Sequence, residues 1–312
     1  TRAERVATDL AAGVDFFTPS DHGMRVDFTD TIAAMDVADL IGTAPSAEIT
    51  TDDYGHFNSW PVTVDSSKIS GGSVDWGRAA KPGMDFPAYA SYVLSPAEIF
   101  EQTRQDPQEN IIQINHMYSH FSSEGLGIDT GLTPPRSTVD LSWKRLDPAL
   151  ENAFDDGFQA LEVWIGTNGR GGIFGQFLGQ NAGDWFNLIN QGIIRTGVAD
   201  SDSHERRTTY LATRSQIASE VTDPGALAAE AEILAANVAA GKVVGTNAPF
   251  MTIKARGRHL ASTRDASLTA KGSRLLPLNP GAAVTVTVAI STAQWAQVDS
   301  VDFYINNQPE LT

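Results

Sequence analysis

Short, almost wholly apolar runs alternate with amphipathic helical segments through most of the chain, and this alternation limits the fold more than any other feature. Residues 4–12 place Val6, Ala7, Leu10 and Ala11 on one helical face and are closed by Gly13; the apolar run 14–17 follows at once. The step recurs. A helix over 96–104 leads to a strand over 111–115, one over 148–155 to 160–165, one over 173–190 to 193–199, and one over 224–240 to Val243 and Val244. Strands apolar on both faces and alternating with helices predict a parallel sheet covered on both sides, closed as an α/β barrel or open and doubly wound. No repeat of fixed length accompanies the pattern, which argues against a solenoid. Hydrophobic residues make up 41% of the 312 positions, enough to build such a core.

Two stretches break the rhythm. Residues 65–92 and 121–147 are rich in Gly, Pro and Ser and read as long loops inserted at strand ends, where lids and substrate walls are found. From about Asn247 the period changes to two: Phe250, Thr252 and Lys254, then Val284, Val286, Val288 and Ile290, then Val301, Phe303 and Ile305. That pattern predicts antiparallel, half-exposed sheet. The chain therefore divides into an α/β domain over 1–246 and a small β-sandwich-like module over 247–312. It starts at Thr1 inside a helical pattern and stops at Thr312 soon after a strand-like run, so both ends read as cut and a longer protein is expected. An extracytoplasmic location, periplasmic or secreted, is the expectation, with any targeting signal lying on a precursor.

Charge and cysteine content narrow the chemistry. A net charge of −16 repels phosphate backbones and anionic lipid headgroups, so no nucleic-acid partner is expected, and no apolar run reaches the roughly 20 residues of a membrane span. With no cysteine, a metal site has to be built from His, Asp and Glu. The chain has six histidines. His22 follows the strand at 14–17, His116 ends the strand at 111–115, and His204 ends the run 197–204. In parallel α/β domains ligands bind at the carboxyl ends of the strands, so these three converge on one rim, and His56 comes from the rim segment that also holds Glu48. Asp202 and His204, two apart in extended chain, point the same way; Asp200 shares that direction, which leaves both aspartates open as ligands.

Imidazole with carboxylate suits Zn, Mn or Fe, and a carboxylate such as Glu48 can bridge two ions. Taken singly, a strand-end His is a hydrogen-bonded structural residue, and Asp21 or Asp202 a helix cap or turn residue. Acid and imidazole groups at successive strand ends are not explained as caps. His120 is a further ligand, a substrate contact or plain surface, and His259, beside Lys254, Arg256 and Arg258, reads as solvated surface. Other chemistries lack their motifs: there is no Walker loop, no GxGxxG after a strand and no GxSxG elbow, although Ser201 and Ser203 stand near His204.

Thr18-Pro-Ser-Asp21-His22, Ala47-Glu48-Ile-Thr-Thr with Gly55-His56-Phe57-Asn58, Asn115-His116, Ala160-Leu-Glu162-Val and Asp202-Ser-His204, in that order, resemble the motifs of the polymerase and histidinol phosphatase (PHP) domain family. Within it they are most similar to the CehA/McbA-type metallohydrolases. Thr246-Asn-Ala-Pro-Phe250 followed by a β module is also typical of that subgroup. The resemblance covers residues 1 to about 247. It implies an irregular seven-stranded (β/α) barrel and a site for up to three divalent ions. Glu48 bridges two of them, and His22, His56, His116, Asp202 and His204 complete the coordination. The implied reaction is hydrolysis by metal-bound hydroxide of a small anionic or ester substrate, a phosphoester first, with a carbamate or carboxylic ester as the alternative. Asp21 and Glu162 take supporting or proton-transfer roles, and Arg207 meets an anionic leaving group.

The family also opens with a strand ending in His-X-His ahead of its first helix, and this chain begins inside that helix. A barrel opened by loss of its first strand is therefore expected. By the same resemblance, the centre of Glu48, His56 and His116 keeps all its protein ligands. A second centre keeps Glu48 and Asp202, and a third keeps His22 and His204. The missing motif also motivates a different reading, a non-catalytic binding or surface protein in which the β module does the work on a barrel scaffold.

Overall fold

Thr1 starts the first helix as its cap: its hydroxyl accepts from the Glu4 N–H, and the Glu4 carboxylate reaches back to the Thr1 amine at 2.8 Å. In this computed structural model, residues 1–51, 54–77, 94–116, 128–138, 154–166, 181–204, 213–255, 258–262, 283–295, 297–305 and 308–311 are described. Arg207, His120 and most of the two long loops lie outside them, as do most of 148–155 and the first part of 173–190; of His259 only the backbone is described.

After helix Arg2–Ala11 come β1 (Phe16–Phe17), helix Thr29–Ala34, β2 (Gly42–Thr43), β3 (Ala47–Thr50) and β4 (His56–Trp60). Helix Pro96–Thr103 leads to β5 (Ile111–Ile114), and the pair β6 (Ile128–Asp129) and β7 (Arg136–Ser137) precedes β8 (Ala160–Ile165). Helix Ala182–Asn190 leads to β9 (Thr196–Asp200) and then β10 (Arg214–Ile217). The segment expected as one helix over 224–240 is a 3-10 helix, Pro224–Glu230, running into α-helix Ala231–Ala239; β11 (Val243–Thr246) follows. Last come β12 (Phe250–Ala255), β13 (Arg258–Ser262), β14 (Val286–Ser291), β15 (Phe303–Ile305) and β16 (Gln308–Leu311).

The central sheet has the order β3-β4-β5-β8-β9. β5, β8 and β9 run parallel, whereas β3, β4 and β5 pair antiparallel. The mixed edge departs from the all-parallel expectation for a local reason. Only residues 51–55 separate β3 from β4, too few for a parallel crossover, and Gly55 turns the chain at φ +96°. Chain continues past both edges of the sheet. His22 forms a parallel bridge with Glu48 on β3, and the Ser215 hydroxyl of β10 takes the Ala199 N–H and returns a hydrogen bond to the Ala199 carbonyl on β9. β10 pairs with β11, and β1 with β2. In the C-terminal part β12 lies between β13 and β14, both antiparallel to it, with β14 mostly exposed. No helix among the described residues is long and apolar enough to cross a membrane.

Apolar side chains cover both faces of the central sheet. Ile49, Phe57, Ile112, Ile114, Leu161 and Val163 pack on one side with Ile99 and Phe100 of helix Pro96–Thr103. On the other side Ile111, Ala160 and Val198 meet Leu234, Ala235 and Val238 of helix Ala231–Ala239. The helix that delivers β5 is held at its start by Ser95, whose hydroxyl accepts from the Glu98 N–H while the Glu98 carboxylate takes the Ser95 N–H at 2.8 Å. Ser95→Ala removes the hydroxyl half of this cap, leaves the backbone N–H to Glu98 in place, and is expected to lower stability by about 1 kcal/mol, read as a shift in the denaturant midpoint.

Candidate metal centre

The hairpin of β3 and β4 sets the first donors. Glu48 stands opposite Asn58 and Thr50 opposite His56, so these four share one face, while Ile49 and Phe57 turn to the core behind. β5 adds Asn115 and His116 just past its end, where the Asn115 N–H bonds the His56 carbonyl at 3.0 Å. Glu48 is buried, and its two oxygens face different partners. Oε1 lies 3.1 Å from His56 Nδ1 and 3.6 Å from His116 Nε2, and it accepts from Asn115 Nδ2 at 3.1 Å. Oε2 lies 3.3 Å from His22 Nε2.

Glu48, His56 and His116 each offer a donor atom within 4.8 Å of the others, and this group can hold a metal ion. One carboxylate oxygen and two imidazole nitrogens, drawn from three segments and half-buried or buried, is a donor set that fits a divalent metal. Glu162 on β8 locks one of these donors. Its Oε2 accepts from the His116 N–H at 2.7 Å and from the ring Nδ1 at 2.6 Å, which turns Nε2 toward Glu48. His116 is held at φ +47°, in the left-handed region that a side chain disfavours, so the double grip of Glu162 maintains a strained backbone at the ligand.

Electrostatics agree with the geometry. Burial pushes the Glu48 carboxyl up, but hydrogen bonds from His116, His56 and Asn115 outweigh it and hold the group well below the usual carboxylate range. Burial would lower His116; the carboxylates of Glu162 and Glu48 reverse that and push it up to about 11. Burial, with repulsion from Glu162, raises Asp200 to about 7, and burial also raises Asp202.

The remaining predicted residues fall around this core. His22 and His204 are exposed and face each other, Nε2 to Nε2 at 3.4 Å, and His22 Nδ1 lies 3.1 Å from Thr50 Oγ1. His22 thus lies against Glu48 Oε2 as well as against His204. Asp202 Oδ1 is 3.5 Å from His204 Nδ1. The extended-chain alternation expected for Asp200, Asp202 and His204 does not hold: β9 ends at Asp200 and Asp202 adopts φ +44°, so a turn brings Asp202 to His204. Asp21 is exposed and meets Glu48 through its main-chain carbonyl, which accepts the Glu48 N–H at 3.2 Å.

Sequence reasoning passed over Gln113, the side chain of Asn115, and Arg5. The Arg5 guanidinium donates to the Ser203 hydroxyl at 2.8 Å and to the Ser203 carbonyl at 2.6 Å, tying the first helix to the turn that carries Asp202 and His204. The signal for Gln113 and Asn115 is their polarity within the otherwise apolar run Ile111-Ile-Gln-Ile-Asn115. No family model, no curated protein and no solved structure matches this chain.

Proposed function

We propose that the chain is a metal-dependent hydrolase of PHP type whose substrate is a small phosphoester. The observation that carries this reading is the convergence of Glu48, His56 and His116, with His22 on the opposite oxygen of the same carboxylate. Glu48, His56 and His116 would hold a divalent ion, Zn, Mn or Fe, which would supply Lewis acidity and activate water at neutral pH. Glu162 keeps a proton on His116 Nδ1 and leaves Nε2 as the donor. Asn115 aims Glu48. His22 and His204, exposed beside the cluster, form an imidazole face suited to the non-bridging oxygens of a phosphoester, and the Asp202 carbonyl holds His204 Nδ1 at 3.0 Å. A small anionic substrate is compatible with the net charge of −16 because charges more than about a Debye length away are largely screened from the site.

The test is metal analysis of the purified protein followed by a screen of phosphomonoester, phosphodiester, carbamate and carboxylic ester substrates with added Zn, Mn or Fe. Phosphoester hydrolysis that needs the metal and is lost in His116→Ala is expected. Turnover of carbamates or carboxylic esters alone would move the reading to another bond. Metal binding without turnover of any substrate would favour a binding or surface protein.

A further inference from the structure

On one face of the central sheet three neighbouring strands change from apolar to polar within two residues: Ile111 to Gln113 on β5, Ala160 to Glu162 on β8, Val198 to Asp200 on β9. Residues two apart in a strand share a face, so a polar layer lies directly on the apolar layer that packs against helix Ala231–Ala239. Within it Gln113 and Asn115 are 4% and 3% exposed, and amides so buried require partners. Gln113 Nε2 donates twice, to Asn115 Oδ1 at 2.9 Å and to Asp200 Oδ2 at 2.5 Å. Asn115 Nδ2 then donates to Glu48 Oε1 at 3.1 Å.

The polarity of this chain of bonds is set from the Glu48 end. A carboxylate oxygen accepts there, so Asn115 presents its NH2 group to Glu48 and its oxygen to Gln113, whose NH2 group donates to Asn115 and to Asp200. Without the Gln113 donor, the Asn115 amide is free to turn over and set its oxygen against Glu48 Oε1, acceptor against acceptor. We propose that Gln113 is a positioning residue for the metal-binding carboxylate: braced on Asp200, it fixes the Asn115 amide in the orientation that holds Glu48 toward His56 and His116. Asp200 is then a buttress and not a ligand, which separates it from Asp202.

The inference rests on the metal-site reading above, and the test keeps the two apart. Gln113→Met keeps length and bulk without a donor; Gln113→Glu keeps shape and replaces the donor with an acceptor. Both are titrated with Zn2+ or Co2+ alone, alongside the visible absorption of the Co2+ form and the melting temperature of the metal-free protein. Affinity about 10-fold weaker in each folded variant, with an altered Co2+ spectrum, is expected. A merely structural role would lower the melting temperature and leave affinity and spectrum unchanged; that result in either folded variant overturns the proposal. Two variants that both fail to fold assign Gln113 to the fold and overturn it as well. If the unsubstituted protein binds neither ion, the metal-site reading itself fails; if it binds and the variants match it, only this inference does.

Discussion

Replacing His56 or His116 with alanine is expected to abolish tight binding of a divalent ion, whereas His22→Ala leaves it nearly intact. An open catalytic zinc site normally keeps three protein ligands, and Glu48, His56 and His116 are the group whose donor atoms lie within 4.8 Å of one another among the described residues. Removing either imidazole leaves two, so the loss should exceed the roughly 100-fold upper range seen when only a supporting hydrogen bond is deleted. His22 approaches the other oxygen of Glu48 and is exposed, so its loss leaves the cluster complete. Equilibrium dialysis with Zn2+ checks this, with a stoichiometry of about one tightly bound ion per chain expected from the same count. Two or three tight ions, or complete loss in His22→Ala, would show that this assignment of ligands to centres is wrong.

Affinity for that ion should climb steeply with pH. In the metal-free protein the carboxylates of Glu162 and Glu48 overcome the effect of burial and push His116 up to about 11, while Glu48 stays ionised. An ion therefore displaces a proton from His116, and below pH 11 the affinity rises about 10-fold for each pH unit, or roughly 100-fold between pH 6 and pH 8. The metal-free protein should respond in the opposite sense. His116 is raised above its ordinary 6.5, so its contribution to stability is complete below that pH and is lost as pH climbs toward 11. Glu48 is lowered from 4.5, so its contribution is present above that value and is lost on acidification. On these two groups the empty protein is firmest between about pH 4.5 and 6.5, where thermal unfolding should find it, while the ion-loaded form gains as pH rises. A titration with no pH slope would show that His116 carries no proton to displace.

How much of this site is legible in the sequence depends on distance along the chain. Strand-to-helix alternation identifies the carboxyl ends of the strands, and a histidine just past a strand end can be read from that alone, as at His116. Glu48 and His56 are legible as a spaced pair, but their antiparallel pairing through the turn at Gly55 runs against the alternation and emerges only from the folded hairpin. Partnerships across long separations leave no local trace. Arg5 and Ser203 are 198 residues apart. Gln113 is different, because a lone amide inside an apolar strand is visible as an anomaly; what it bonds to depends on two neighbouring strands. Asp202 misleads sequence reasoning because the strand stops two residues before it.

The left-handed conformations at His116 and Asp202 set the protein's durability against its chemistry. Each holds a side chain where glycine or asparagine would rest more comfortably, at a cost of about 1 to 3 kcal/mol per position. Neither glycine nor asparagine offers an imidazole or a carboxylate. Engineering guided by heat resistance alone would thus be drawn to these positions as readily as to Asp36 at φ +56°, and at these two a gain in robustness would erase a candidate metal donor or its companion acid.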